Sequence, residues 1–181
     1  MKNIALLLFI MLFGLSGCGK APGDNAAGPQ DPPETMPEDF SLSLFWFTGA
    51  MPDSWMQYSY EVHIGPGTEG RLVYRSGDRS RELDSSFDTS VESIEKLYLF
   101  LLGNNAFITD REPGEPIDGG PDFSLVFKAA GNKYGFSELS ELSEKDRDLA
   151  YAIKPQVELL VPAELWDEMN RLQLEYESEN Y

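Results

Sequence analysis

Apolar and polar residues alternate along several short segments, and this alternation is typical of half-buried β-strands. A strand is predicted from Phe40 to Thr48, where the even positions up to Trp46 are apolar and Phe45 and Phe47 add apolar residues on the other face. A strand that is apolar on both faces at one end is expected to run into the middle of a sheet. The same alternation predicts strands at 57–64, 70–75 and 122–129, a return strand after 131–132, and a short strand near 79–83. The short gaps between these segments predict antiparallel hairpins.

Two longer segments carry apolar residues at every third or fourth position, as expected of helices that pack one face on a sheet. The first follows Thr89-Ser90-Val91-Glu92, a capping box in which Thr89 caps the amide of Glu92 and Glu92 reaches back. Gly103 is expected to end this helix. Pro162 suits the first turn of the second helix.

The segment between the predicted hairpin and the last helix is harder to interpret. A short helix from about Glu144 is expected to stop at Pro155, and the alternation of Val157, Leu159 and Val161 then predicts an extended stretch. The order of elements is strands, helix, hairpin and helix. It predicts an α+β fold, with an antiparallel sheet and two main helices packed on one face.

The chain begins with a tripartite pattern that is typical of an export signal. Met1-Lys2-Asn3 carries one basic residue, an apolar run extends from Ile4 to Phe13, and small residues follow at Gly14-Leu15-Ser16-Gly17. A membrane-spanning helix needs about 20 apolar residues, and this run is shorter. Residues 1–17 are therefore predicted to be a cleaved signal peptide.

Leu15-Ser16-Gly17-Cys18 resembles a bacterial lipobox. The resemblance implies that the sulfur of Cys18 takes a diacylglycerol and that the chain is cut just before it, so the mature protein is held at the membrane by lipid. Cys18 is the only cysteine, which excludes an intramolecular disulfide. Two or more acyl chains anchor a protein stably. Gly19 replaces the aspartate that often marks inner-membrane retention in Gram-negative lipoproteins, which favours the outer membrane of the cell envelope.

The composition predicts one domain on a tether. Residues 18–39 are the lipidated cysteine and a linker rich in Gly, Pro, Ala, Asn and acids, a composition that favours an extended, mobile chain. Residues 40–178 are predicted to form a single domain. It also resembles, over most of its length, small bacterial lipoprotein domains of unknown function, which implies no activity. The net charge of −17 excludes binding to nucleic acid.

No group of residues in the sequence predicts catalysis, a cofactor or a transition-metal site. His63 is the only histidine and lies on the polar side of a predicted strand, so a surface role is expected. No nucleophile motif accompanies it, and a zinc site needs several His or Cys ligands. The acids between Asp110 and Asp122 leave open an alternative, a cation-binding protein or a hydrolase that uses acidic residues.

The loop between the first two predicted strands is the candidate binding site. It carries Met51, Trp55 and Met56 beside the apolar end of the first strand, whereas loops are normally polar. Aromatic residues and methionine are enriched where proteins bind partners. The sequence therefore favours a non-catalytic, lipid-anchored envelope protein that binds or scaffolds an envelope protein or glycan through this loop. A loop that merely folds over the sheet end is the alternative.

Overall fold

The structure, a computed structural model, describes residues 31–49, 51–53, 56–115, 121–136 and 138–180. The α+β fold predicted from the sequence is confirmed. Its six strands and three helices follow one another in the order β1 (Ser41–Phe47), β2 (Tyr58–Ile64), β3 (Glu69–Ser76), β4 (Glu82–Asp88), α1 (Val91–Gly103), β5 (Asp122–Ala129), β6 (Asn132–Phe136), α2 (Glu144–Glu158) and α3 (Ala163–Asn180). A single 3₁₀ turn, Leu139–Glu141, precedes α2.

All six strands form one antiparallel sheet in the order β4-β3-β2-β1-β5-β6. Strand β1 pairs with β2 on one side and with β5 on the other, so Leu44 lies between Val62 and Leu125. Strand β1 therefore lies in the interior of the sheet, as predicted from its apolar sequence. The four-stranded meander β1–β4 and the hairpin β5–β6 therefore meet at β1.

The helices cover one face of this sheet, which we call the covered face. The apolar residues of the alternating strands point into it, and the core includes Phe40, Leu42, Leu44, Val62, Leu72, Tyr74, Phe123, Leu125, Phe127 and Tyr134. From α1, Tyr98 packs edge-on against Phe40, with ring centroids 5.2 Å apart. From α3, Trp166 packs edge-on against Tyr60 at the same separation.

The start of α1 differs from the predicted capping box by one residue. Ser90 is the N-cap, and its hydroxyl oxygen accepts a hydrogen bond from the Ser93 amide at 3.1 Å. Glu92 pairs with Lys96 one turn further on and does not reach back. The prediction of Thr89 as the cap was wrong: its amide, to which Glu92 was expected to reach back, donates instead to the carbonyl of Thr68, the residue before β3.

The end of α1 also depends on a different residue from the one predicted. Gly103 is the last residue of the helix, and Asn105 takes the left-handed conformation with φ of 54°. The Ala106 amide bonds to the Leu101 carbonyl and the Asn105 amide to the Leu102 carbonyl, the pair of bonds that defines a Schellman ending. Asparagine tolerates this conformation better than most residues.

Helix α2 continues past Pro155, so the prediction of an extended segment at 157–161 was wrong. Val157 lies in the helix and is buried in line with Ala150 and Ile153, which is a helical spacing. A proline removes the hydrogen bond to the carbonyl four residues earlier. Here that residue is Tyr151, which is exposed, so the freed carbonyl lies on the outer side of the helix.

The edge strand β4 begins three residues later, and ends five residues later, than the short strand predicted near 79–83. It runs from Glu82 to Asp88 after a turn in which the Ser76 amide bonds to the Arg81 carbonyl. Only Phe87 of this strand is buried. A polar edge strand has a weak alternation signal, and charged edges are a common protection against edge-to-edge association.

The last residues of the predicted linker lie against the domain. The Tyr98 hydroxyl donates to the Pro33 carbonyl at 2.5 Å, and Met36 packs on the core. The carboxylate of Asp39 accepts from the amides of Ala130 and Gly131 in the β5–β6 turn. Packing therefore begins before residue 40, where the linker was predicted to end. The predicted signal peptide and Cys18 lie outside the described residues.

Candidate functional site

The second face of the sheet, which we call the open face, carries no helix within the described ranges. The residues that alternate with the core positions point to this face, and most of them are half-buried or exposed. They include Ser43, Phe45, Phe47, Glu61, His63, Arg71, Arg75, Asp84, Asp122 and Val126. Because the helices cover the other face, the open face is the side of the sheet that a partner could reach.

Cross-strand ion pairs hold the charged side chains of the open face in place. Arg75 bonds to Glu61 on β2 at 2.8 Å and to Glu82 on β4 at 3.1 Å. Arg71 makes two bonds to Asp84, which lower the pKa of that carboxyl below its usual value. Val73 lies between these pairs and is only 3% exposed, because long arginine stems cover neighbouring apolar surface.

Ser43, His63 and Glu61 form a hydrogen-bonded chain on the open face. The Ser43 hydroxyl lies 2.9 Å from His63 Nδ1, and His63 Nε2 lies 3.1 Å from Glu61 Oε2. A carboxylate only accepts, so Nε2 donates to Glu61, and in the neutral ring Nδ1 then accepts from Ser43. The expected surface position of His63 agrees with this geometry, while Ser43 and Glu61 were not predicted as its partners.

This chain has the three groups of a nucleophilic triad but not its surroundings. Catalysis of acyl transfer also needs donors aimed at the developing oxyanion. Ser43 lies in β1, which is paired on both sides, so the neighbouring backbone amides are used by the sheet. In this setting the two hydrogen bonds orient the His63 ring on the open face.

A cavity of about 290 Å³ opens where the open face meets the turn between β3 and β4. We call it the Phe45–Phe47 cavity. Its walls include Phe45, Phe47, Tyr58, Glu61, Arg75 and Arg79. The two phenylalanines are the aromatic residues of the open face, and both are half-buried. The cavity thus combines aromatic side chains with two arginines and a glutamate in its lining.

The predicted binding loop connects Phe47 to Tyr58, two residues that line this cavity. Met51 is 39% exposed, and its carbonyl accepts from the Gln57 side chain at 3.3 Å. Met56 is half-buried, and Thr48 closes the base of the loop on Tyr58. Trp55, the third predicted binding residue, lies outside the described residues. The structure thus brings Met51 near the apolar end of β1 and leaves the part played by Trp55 a prediction.

The acidic segment after α1 is fastened to the domain by Arg111, a residue that the sequence did not indicate. Its guanidinium is 8% exposed, pairs with Asp146, donates to the carbonyls of Ala106 and Gly135, and lies 3.7 Å over the Phe136 ring. Burial lowers the pKa of Arg111, and Asp146 opposes that shift. Gly114 packs so closely on Leu142 that a Cβ atom there would lie 2.1 Å from its carbonyl oxygen.

The predicted cation alternative depended on the acids of this segment. Among the described residues, no three His, Cys, Asp or Glu side chains come together as metal ligands. Asp118 is outside the described ranges. Within those ranges the close contacts of the segment involve Arg111 and Gly114, and they are structural.

A second cluster joins α2 to the sheet beneath the β1–β2 loop. Glu158 pairs with Lys154 at 2.7 Å and accepts from the Tyr60 hydroxyl, while Lys154 lies 4.3 Å over the Trp46 ring. Burial, followed by the bond to Glu158, raises the pKa of Tyr60. A cavity of about 770 Å³ lies alongside, at the elbow between α2 and α3. Each polar group of this cluster has a partner, which suits a structural role.

No protein-family model matches the chain, and no curated protein matches it. None of the helices in the described part of the chain is long and apolar enough to cross a membrane.

Proposed function

We propose that this protein is a lipid-anchored component of the bacterial cell envelope, with the outer membrane favoured, whose domain binds or scaffolds another envelope component without catalysing a reaction. The anchor is Cys18 of the lipobox-like segment. The observation that carries the binding role is the Phe45–Phe47 cavity on the open face, together with the exposed Met51 in the loop that follows β1. Both offer apolar side chains on a molecule whose charged open-face residues on β2, β3 and β4 are held in ion pairs.

The tether sets the distance at which a partner can lie. Tyr98 holds the chain at Pro33, so the 14 residues from 19 to 32 separate the domain from a lipidated Cys18. At about 3.3–3.6 Å per residue they span at most about 50 Å. The point at which the domain is attached to the tether therefore lies within about 50 Å of the membrane surface, and the proposed partner is a protein or glycan that a domain held there can reach.

The anchor is tested by the mass of the mature protein. We expect a chain that begins at Cys18 and carries a diacylglyceryl group on its sulfur, detected in the N-terminal peptide by mass spectrometry. Replacement of Cys18 by alanine removes the lipid-bearing peptide. A chain that starts elsewhere, or an unmodified Cys18 in the mature protein, contradicts the anchor.

The binding role is tested by a photo-crosslinking residue placed on each side of the domain in living cells. Asp122 is exposed on the open face and pairs in register with Phe47. Leu174 is 64% exposed on α3 and serves as the matched control on the other side. We expect one defined crosslinked species from the first position and none from the second.

The pattern of crosslinks decides between the alternatives. A defined species from Leu174 alone, or none from either position, contradicts binding at the open face. Mass spectrometry of the species from Asp122 distinguishes a protein partner from a glycan.

A further inference from the structure

We infer that the Phe45–Phe47 cavity binds the C-terminal residue of a partner polypeptide, with its apolar side chain on the two phenylalanines and its carboxylate on Arg79. The inference rests on the proposed function, because it names the chemical class of the partner at the same site. Two observations support it: the residues that line the cavity, and the absence of a bonding partner for Arg79 among the described residues.

Arg79 differs from the other arginines of the domain. Within the part of the chain that the structure describes, its guanidinium makes no hydrogen bond or ion pair. The remaining arginines each bond to carboxylates or carbonyls: Arg71, Arg75, Arg81, Arg111, Arg147 and Arg171. In a chain with 31 acids and 14 basic residues, an unpaired guanidinium is conspicuous, and a carboxylate is the group whose shape it matches.

The turn between β3 and β4 positions Arg79 at the rim of the cavity. The Arg79 amide donates to the Ser76 carbonyl at 2.9 Å, and its φ is 62°. Non-glycine residues rarely adopt this left-handed conformation. Asp78, its neighbour, is occupied within the turn by Ser76 and Ser80, so its carboxylate has local donors other than Arg79.

Two arginines and one carboxylate line the cavity, so its lining carries one more positive than negative charge. Glu61 faces the same cavity, but Arg75 and His63 already bond to it. Charges more than about 8 Å apart are largely screened at physiological salt. The nearby cation therefore has more influence on a bound carboxylate than the net charge of −17.

The size of the cavity limits the ligand to about one residue. Its volume of about 290 Å³ lies at the lower end of the ~300–1,000 Å³ that is typical of ligand sites. An apolar side chain with its own carboxylate fits that limit, and capture of a C-terminal carboxylate is a recurrent mode of peptide recognition.

The test uses a matched pair of small photoreactive probes on the lipid-anchored full chain in detergent micelles. The probes are N-acetyl-photoleucine, an apolar amino acid with a diazirine, as its free acid and as its uncharged carboxamide. We expect the acid to label residues around the cavity saturably and at least five-fold more efficiently than the amide at equal concentration. Arg79→Gln should abolish that difference, and Phe47→Ala should reduce labelling by both probes.

Arg71→Gln, which changes a paired arginine elsewhere on the same face, is the control and should keep the preference for the acid. Thermal melts establish that each variant is folded. Equal labelling by acid and amide, or labelling that does not saturate at the cavity, overturns the inference. If the probes fail while the crosslink from Asp122 persists, only this inference falls. If the probes bind and no partner crosslinks, the proposed function falls instead.

Discussion

The two faces of the sheet are made by the same strands, yet different interactions stabilise them. On the covered face, apolar side chains from alternate positions are buried by the three helices. On the open face, Glu61, Arg75 and Glu82 form ion pairs across three strands. Burial of apolar area is the larger and less salt-sensitive contribution, whereas exposed ion pairs contribute little. The covered face therefore maintains the fold, and the open face can vary with little effect on stability.

The strongest test of this difference compares one ion pair from each side. Arg111→Ala removes a guanidinium that is buried beside Asp146 and leaves that carboxylate and two carbonyls without their partner. The loss should be about 3–5 kcal/mol of unfolding free energy. Arg71→Ala breaks the exposed pair with Asp84 and should cost at most about 1 kcal/mol. Urea unfolding of both variants gives the comparison, and similar losses would contradict it.

Two neighbouring residues of β5 provide a second comparison, with a smaller expected effect. Leu125 is fully buried on the covered face, while Val126 is half-buried on the open face. Leu125→Ala should destabilise the protein by about 3 kcal/mol through lost contacts and a cavity. Val126→Ala should lower the unfolding free energy by less than about 1 kcal/mol, because less apolar surface is buried at this position.

Thermal and urea unfolding of the full-length chain in detergent micelles measure the effect of both substitutions. The two residues are neighbours in one strand, so each substitution changes the local preference for β-structure to a similar extent. The difference between their losses of unfolding free energy therefore reflects burial. A larger loss of unfolding free energy for Val126→Ala than for Leu125→Ala would contradict this comparison, because it would mean that the open face is buried in the isolated protein.

The third comparison, with the smallest expected effect, is the pH range in which each face contributes to stability. On the covered face, burial raises the pKa of Tyr60 above its ordinary value of 10.0. The unfolded chain then loses that proton first, so this part of the stability is complete below pH 10 and falls as the pH rises further. On the open face, Arg71 lowers the pKa of Asp84 below 3.8. That contribution is present above this pH and falls as the pH decreases.

Unfolding curves between pH 2 and pH 12 check both directions. Tyr60→Phe should reduce the alkaline loss alone, and Asp84→Asn the acid loss alone. An ultraviolet titration should show Tyr60 ionising only as the protein unfolds. If each variant altered the opposite end of the curve, the assignment of the two faces would be wrong.

Most of the fold could be predicted because its signals are local. The alternation in 122–129 predicted β5 with the bounds that the structure has, and the spacing after residue 162 predicted the inward side of α3. The predictions failed where a distant contact outweighed a local rule. Helix α2 passes Pro155 because Val157 is buried in the core. The N-cap of α1 is Ser90, and the Thr89 amide, to which Glu92 was expected to reach back, bonds to Thr68.

The candidate site was predictable only in part. The exposed methionine of the β1–β2 loop stood out in the sequence, since this loop carries apolar residues where loops are normally polar. Arg79 did not, because nothing in its neighbours shows that its guanidinium is unpaired. The partners of His63 depended on strand register, which places Ser43 opposite His63 although they are 20 residues apart.

The sequence by itself determined which residues turn inward, because side chains alternate along a strand and recur along a helix whatever lies across from them. It also determined the acidic charge and the lipobox-like start of the chain. Only the tertiary structure decided which charged side chains are paired. It also decided that Arg79 has no such partner among the described residues, and that two phenylalanines and two arginines line one cavity. Those features arise between strands, where the distance between residues is set by register and packing and not by their separation along the chain.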